Sequence, residues 1–403
     1  MGKKIVEETN PVQKEQAPAA QPEKEKSDVA WAEKKSATKS VVIIGMGSQA
    51  NSWLNCVKRH PDFKLTGIVD IDTEMMDHMG PFGLKEDDFF ISIDDYVQDK
   101  GKPDLAIIAT PIESHHVLCK ETMDHGIHVI CEKNMASTIY AGRQMVQCAL
   151  DHPELATAIG HQYRFFLHNW LTKCYIQEHN ELGKLAMIRM ASGGNWGEKR
   201  KGWRRFLPEV YLEDMMPHWF DLLRYWTGLD VVQVKCDTFI PKFSAWQGSS
   251  TAFVSLALAH PDDYNHRHNW VWAQLYGDWQ SRGPNTPDKN FQKLFFAKGE
   301  FKVGGAWLEI AKYKDEQGRE IEEDGFLIGD AGKDGVEHMG TNYDGQMIIL
   351  EQIKRCMDAG GKNQPLNAFP KIFKSFAVSM AAIESSRTGK TVWVPDYWKD
   401  MGI

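Results

Sequence analysis

The chain has little of what marks several common protein classes. Its seven cysteines, at positions 56, 119, 131, 148, 174, 236 and 356, form no C-x-x-C pair, and no Cys/His set has zinc-finger spacing. Several sit inside apolar runs, as in Val129-Ile130-Cys131. That pattern reads as reduced, buried thiols in a cytoplasmic protein, and no metal is expected. No apolar run approaches the roughly 20 residues that a bilayer demands, so no membrane partner is expected. The N-terminus shows no apolar signal core and no twin arginine, so no secretory leader is expected either. A basic excess is missing as well. Lys and Arg total 47 against 55 Asp and Glu, a net charge of -8. Nucleic acid is excluded as a partner, because phosphate binding needs a clustered basic face.

With 403 residues, 42% of them apolar and 25% charged, the chain has material for two or three globular domains. Residues 1–39 are rich in Lys, Glu, Gln, Ala and Pro and carry few large apolar side chains. They cannot bury enough surface to offset their ordering entropy, so a disordered tail is expected. A docking arm anchored by Val29-Ala30-Trp31 is the alternative. From Ser40 the character changes. Val41-Val42-Ile43-Ile44 is a continuous apolar run, the mark of a buried parallel strand. Further strand candidates are 65–69, 105–109, 128–131 and 155–159, with helical stretches between them. Strand and helix in alternation imply a doubly wound α/β domain over residues 40–160. Beyond it, β-type stretches at 185–191, 231–240, 251–259 and 270–276 lack a helix after each strand. Residues 161–403 therefore read as an α+β domain with an open, mainly antiparallel sheet, closed by helices near 344–359 and 370–388.

The first strand runs into Gly45-Met46-Gly47-Ser48-Gln49-Ala50, a G-x-G-x-x-A fingerprint. The first glycine permits the tight turn, the second lets a pyrophosphate approach the backbone, and Ala50 allows close helix–strand packing. The N-terminus of the following helix offers N–H groups and a positive dipole end to the phosphates. The next strand ends in Asp70, placed to accept from the adenosine ribose hydroxyls and to repel a 2′-phosphate. Ile71 supplies no arginine beside it, so the cofactor is expected to be NAD rather than NADP. Asp72 is a second candidate for the same role.

Thr110-Pro111-Ile112-Glu113-Ser114-His115 and Glu132-Lys133-Asn134 follow the next strand pair. With these segments the chain resembles the Gfo/Idh/MocA family, the glucose–fructose oxidoreductase and inositol dehydrogenase group, which carries T-P-x-x-x-H and E-K-P there. The resemblance extends from Val41 to the last helix. It implies a Rossmann domain followed by an α+β domain, NAD(P) as cofactor, and sugars, polyols or their relatives as substrates. It places Thr110, Pro111, His115, Glu132 and Lys133 among the cofactor-binding residues. It also implies association into a homodimer or homotetramer through the open sheet. Asn134 stands where the family has proline, so extra donors and a looser turn are expected there.

Lys133 falls at the end of a strand, where open α/β sheets place ligands. Its ammonium is expected to hold a substrate hydroxyl. Glu213-Asp214-Met215-Met216-Pro217-His218-Trp219-Phe220-Asp221-Leu222-Leu223 resembles the family's D-x-x-x-H-x-x-D-L-L helix. Asp214 and His218, four apart, share one face on a helix that Pro217 could start. An imidazole with a pKa near 6.5 suits removal of a hydroxyl proton. Asp214 would orient the ring, raise its pKa or hold a second hydroxyl. Asp221 reads as a capping or pairing residue. Weaker candidates are Tyr163 and Arg164, either near the nicotinamide and substrate or in an ion pair; Trp196, Trp203 and Arg204; and His266, Arg267 and His268 beside Trp270. The expected activity is NAD-dependent oxidation of a secondary hydroxyl, with Lys133, Asp214 and His218 catalytic and Arg164 joining them in binding a carbohydrate-like substrate. Two alternatives stand: a lyase or glycosidase that recycles bound NAD through transient oxidation, and a non-catalytic NAD-binding regulator.

Overall fold

Val41 and Ile43 project from one face of the first strand, Val42 and Ile44 from the other, and all four are buried. Such a strand needs helices on both sides. In the computed structural model, residues 37–179, 181–195, 203–280, 290–303, 307–312, 324–327 and 345–403 are described. The expected tail, apart from its last three residues, and Trp196 lie outside them. The first described element is β1 (Lys39–Ile44), which starts one residue earlier than expected; Lys39 pairs with Phe63 in the strand ladder and its ammonium meets Asp358 at 2.7 Å.

The first sheet is wholly parallel. It comprises β1, β2 (Phe63–Val69), β3 (Phe89–Phe90), β4 (Leu105–Ile108), β5 (His128–Cys131) and β6 (Thr157–Ile159) in the order β3-β2-β1-β4-β5-β6. The connecting helices are α1 (Ala50–Arg59), α2 (Ile93–Lys100), α3 (His115–Asp124) and α4 (Ile139–Asp151). Val42 and Ile44 pack with Cys119 and Met123 of α3 and Met145 of α4. On the other face, Val41 and Ile43 meet Trp53, Leu54 and Val57 of α1. Each of these fully buried side chains contributes roughly 1.5–3 kcal/mol.

The second half starts with α5 (Leu167–Cys174), β7 (Leu185–Gly193), α6 (Val210–Asp214) and α7 (Met216–Thr227). There follow β8 (Asp230–Phe239), β9 (Thr251–Ala259), β10 (Val271–Asp278), β11 (Phe291–Phe296), β12 (Gly299–Val303), β13 (Trp307–Lys312) and β14 (Asp324–Leu327). Then come α8 (Gly345–Asp358), α9 (Phe369–Thr388) and β15 (Val392–Trp393). The nine strands run in the order β14-β13-β12-β11-β7-β10-β9-β8-β15, antiparallel except for the β7–β10 pair. This is the open, mainly antiparallel sheet the sequence predicts. Side chains alternate along it, and Phe239, Phe253 and Tyr276 stack on one face, with Phe253 half exposed.

One boundary is corrected. α8 does not belong with the second sheet: Ile349, Leu350, Ile353 and Cys356 pack against Val41, Ile43 and Trp53. Residues far along the chain thus complete the first domain, because α1 alone leaves part of that sheet face uncovered. Nor do two helices close the chain. β15 follows α9 and pairs antiparallel with β8.

Candidate active site

All six strands of the first sheet are parallel, so their carboxyl ends share one edge, where α/β folds bind ligands. Gly45, Asp70, Thr110, Lys133 and His161 follow successive strand ends there. Gly45 has φ +90°, and a Cβ on it would lie 2.7 Å from the Thr110 methyl, so only glycine fits this turn. Gly47, Ser48 and Pro111 are exposed, while Gln49 and Thr110 are half-buried. The first turn of α1 has no acidic residue and no side-chain cap at Gln49. An open turn with a bare helix N-terminus suits a pyrophosphate, and a dinucleotide fits this groove. Ala50 is fully buried and serves the close packing expected of it.

Several of the other expected cofactor residues also brace the loops around the groove. Asp70 accepts from the Met46 N–H at 2.6 Å and the Asp72 N–H at 2.9 Å, fastening the glycine loop to the end of β2. Asp72 accepts from the Glu74 N–H and caps the following turn. His115 is wholly buried, its Nδ1 2.8 Å from the Asn134 carbonyl and its Nε2 3.0 Å from the Thr110 carbonyl. Burial outweighs the two carbonyls and lowers its pKa, so the ring is neutral and donates to one of them. It ties the two loops together beneath the groove rather than reaching into it. Glu132 is buried too, accepting from the Trp53 indole N–H at 2.7 Å; burial raises its pKa against the pull of that bond. Nor is the turn at Asn134 loose: its Nδ2 donates to the Glu213 carbonyl at 3.0 Å, and the Lys133–Asn134 peptide is cis.

Lys133 reaches the second domain. Its Nζ donates to the Asp214 carbonyl at 2.5 Å and to Asp214 Oδ1 at 2.6 Å. Arg204 Nε donates to Oδ2 at 3.2 Å. Asp214 ends α6, and α7 begins at Met216, so Met215 interrupts the helix between Asp214 and His218. The expected shared helical face is therefore broken, and Asp214 orients Lys133 and Arg204 instead of the imidazole. His218 is 4% exposed, stacked on Tyr163 at 4.0 Å and edge-on to His161 at 5.7 Å. Its Nδ1 has no hydrogen-bond partner among the described residues. Burial first, then the Lys133 charge and the neighbouring His161, hold its pKa well below 6.5, and Asp214 does not reverse the direction. The ring is therefore a neutral proton acceptor at neutral pH, opposite in direction to the raised pKa expected.

Arg164 is corrected. Its Nε and Nη2 grip Asp221 at 2.6 Å each, and Nη1 donates to the Leu366 carbonyl at 2.8 Å. It is the ion pair, not a substrate contact. His266, Arg267 and His268 lie in exposed turns before β10. Arg267 sits over Trp270 and Trp272 there, roughly 20 Å along the strand from its site-facing end. His161, which stands in no motif of the sequence, is 2% exposed and 3.8 Å from Asp221, and burial lowers its pKa to about 4. Its place directly after a parallel strand was the available signal. Tyr163, which stacks on His218, lines a cavity of about 310 Å³ together with Asn169, Met215, Trp219, Phe291 and Gln292 among others. Aromatic faces alternating with amides suit a polyhydroxylated ring.

The parallel sheet, its glycine turn and the polar cluster under a second sheet define an NAD-binding oxidoreductase of two-domain type. The description "Oxidoreductase family, NAD-binding Rossmann fold" matches residues 39–159, and the "GFO/IDH/MocA C-terminal domain" matches residues 175–277. Together these span more than half of the sequence, and the chain belongs to the Gfo/Idh/MocA oxidoreductase family. No curated protein matches it in sequence. Among solved structures it is similar to levoglucosan dehydrogenase in complex with NADH and L-sorbose (18% identity, 89% of this chain and 100% of that one, TM-score 0.73). It is also similar to an Agrobacterium radiobacter oxidoreductase in complex with NAD+, L-tartaric acid and magnesium (18%, 89% and 99%, 0.70). The aldose-aldose oxidoreductase of Caulobacter crescentus, complexed with glycerol, shares the fold as well (17%, 88% and 99%, 0.70).

Proposed function

We propose that the protein oxidises a secondary hydroxyl of a sugar, polyol or glycoside with NAD. The observation that carries this reading is the Lys133–Asp214 bridge between the two domains, 2.6 Å long, beside a buried neutral His218. NAD, held by the glycine turn and the N-terminus of α1, would supply the hydride acceptor for the substrate carbon. Lys133 spends two of its three donors on Asp214 and directs the third at the substrate hydroxyl oxygen. His218 takes the hydroxyl proton, and the cavity that Tyr163 lines seats the ring. Asp70 favours NAD over NADP by its charge at the end of β2. The buried cysteines fit a reducing compartment, the cytoplasm. The stacked aromatics on the open sheet face support a homodimer or homotetramer, which light scattering checks.

The direct test is NADH formation across polyols, free sugars and glycosides, with His218→Ala alongside. The variant should keep its NAD affinity, because His218 stands on α7 in the other domain, and should lose roughly 100- to 10,000-fold in kcat. Near-normal turnover in a folded variant removes His218 from the chemistry. Product without free NADH transfers the same site to a recycling lyase or glycosidase, and no product with any substrate leaves a regulator.

A further inference from the structure

The carboxyl-terminal ends of α3 and α4 lie at the opposite edge of the first sheet from the dinucleotide groove, since each helix runs from the end of one parallel strand to the start of the next. Three side chains of different chemistry converge there. Asp124 is the last residue of α3, Cys148 sits in the last turn of α4, and His152 caps α4, its backbone N–H donating to the Cys148 carbonyl at 3.1 Å. One ligand atom from each lies within 4.8 Å of the other two. We propose that this cluster is a zinc site, with Asp124, Cys148 and His152 as protein ligands and a fourth position open to water. The proposal is independent of the catalytic reading above.

The geometry asks for little movement. Ligand distances of about 2.0–2.3 Å around a tetrahedral ion put neighbouring donors roughly 3.3–3.8 Å apart. Asp124 Oδ1 and His152 Nε2 already stand 3.9 Å apart, so only the thiol has appreciably to close in. The surroundings are arranged for it. Glu154 Oε1 lies 3.4 Å from His152 Nδ1, on the side of the ring away from the cluster, where a carboxylate commonly backs a metal-bound imidazole. Lys120 occupies the other oxygen of Asp124, Oδ2, at 2.5 Å and leaves Oδ1 toward the histidine. One sulfur, one nitrogen and one oxygen donor suit a borderline ion such as zinc and not magnesium or calcium. Asp124 is exposed and Cys148 is 9% exposed, so an ion can enter from solvent. Cys148 and His152 are four apart, but Asp124 lies 24 residues before Cys148, so the full ligand set shows no zinc-finger spacing in the sequence. Bound zinc would clamp the ends of two helices, and its effect would fall on stability rather than turnover.

Cobalt reports on the site directly. The full chain, stripped with chelator, is titrated with Co2+ and followed in the near-ultraviolet and visible. One equivalent should give a thiolate-to-cobalt charge-transfer band that Zn2+ abolishes by displacement. Cys148→Ser should lose the band, and Asp124→Asn should weaken Co2+ binding by about tenfold or more. Both variants should keep wild-type NAD affinity. Zinc should raise the unfolding midpoint of the wild type and not that of Cys148→Ser. No charge-transfer band in the wild type, or a band that survives Cys148→Ser, overturns the proposal. Should Cys148→Ser fail to fold, the exposed Asp124→Asn decides: unchanged Co2+ affinity overturns it as well.

Discussion

Two cation–aspartate pairs lie close together in this protein and differ in construction. Arg164 meets Asp221 of α7 through two bonds of 2.6 Å, with Ser375 of α9 donating to the same carboxylate at 2.8 Å. Burial would raise the Asp221 pKa, but Arg164, His161 and these bonds together bring it well below the ordinary carboxylate range. The pair is two-pronged and buried. Lys133 meets Asp214 through one flexible ammonium, shares that carboxylate with Arg204, and acts by its charge on the buried His218, whose Nδ1 has no hydrogen-bond partner among the described residues. A guanidinium fork locks geometry, whereas an ammonium with an unspent donor can hand part of its bonding to a ligand. The first pair fastens α7, α9 and the turn after β6; on the function proposed above, the second is the one that meets substrate.

The largest expected effect separates the two pairs by stability. Arg164→Met should cost about 3–5 kcal/mol, because it strands a buried carboxylate. Lys133→Met should cost clearly less stability while abolishing most turnover. Urea denaturation of both variants, with activity in parallel, checks this. Equal stability losses would erase the distinction drawn here.

Next in size is a pH effect. His161 and His128 titrate at about 4 in the folded chain, in each case chiefly through burial, and burial also depresses His218. Unfolded, each returns to about 6.5 and binds a proton that the native state refuses. Their stability contribution is therefore intact above about pH 6.5 and is lost as pH falls toward 4. The slope is at most about 1.4 kcal/mol per pH unit per histidine. Denaturant midpoints across that window measure it, and His161→Phe should flatten the slope. The same depression puts the acidic limb of the activity profile below pH 6.5, and that limb should vanish in His218→Ala.

A smaller effect is expected at the cofactor. Asp70→Ala should weaken NAD by about tenfold, the worth of one charge-assisted bond, and narrow the gap to NADP. Calorimetry with both dinucleotides decides, and tighter NADP binding by the wild type would end the assignment. Smallest of all, Asn134→Ala removes the bond to the Glu213 carbonyl and should cost about 0.5–1.5 kcal/mol. A markedly larger loss would show that the turn bears on the Lys133–Asp214 bridge.

What the sequence determined by itself is whatever depends on near neighbours in the chain. The apolar run of β1 demands two covered faces, the G-x-G-x-x-A turn demands glycine at φ +90°, and the run of strands without intervening helices announces the second sheet. Lys133 and His218 were legible because each stands in a local motif. β3 was not, since two residues carry no periodicity. Tertiary structure alone decided the partners. His115 and Asn134 meet across 19 residues, Arg164 and Asp221 across 57, and Lys133 and Asp214 across 81. It alone brought α8 back to β1 and set Asp124 beside Cys148 and His152. A side chain's type fixes what it can bond, but folding fixes which donors reach which acceptors, and burial then sets which of them stay charged.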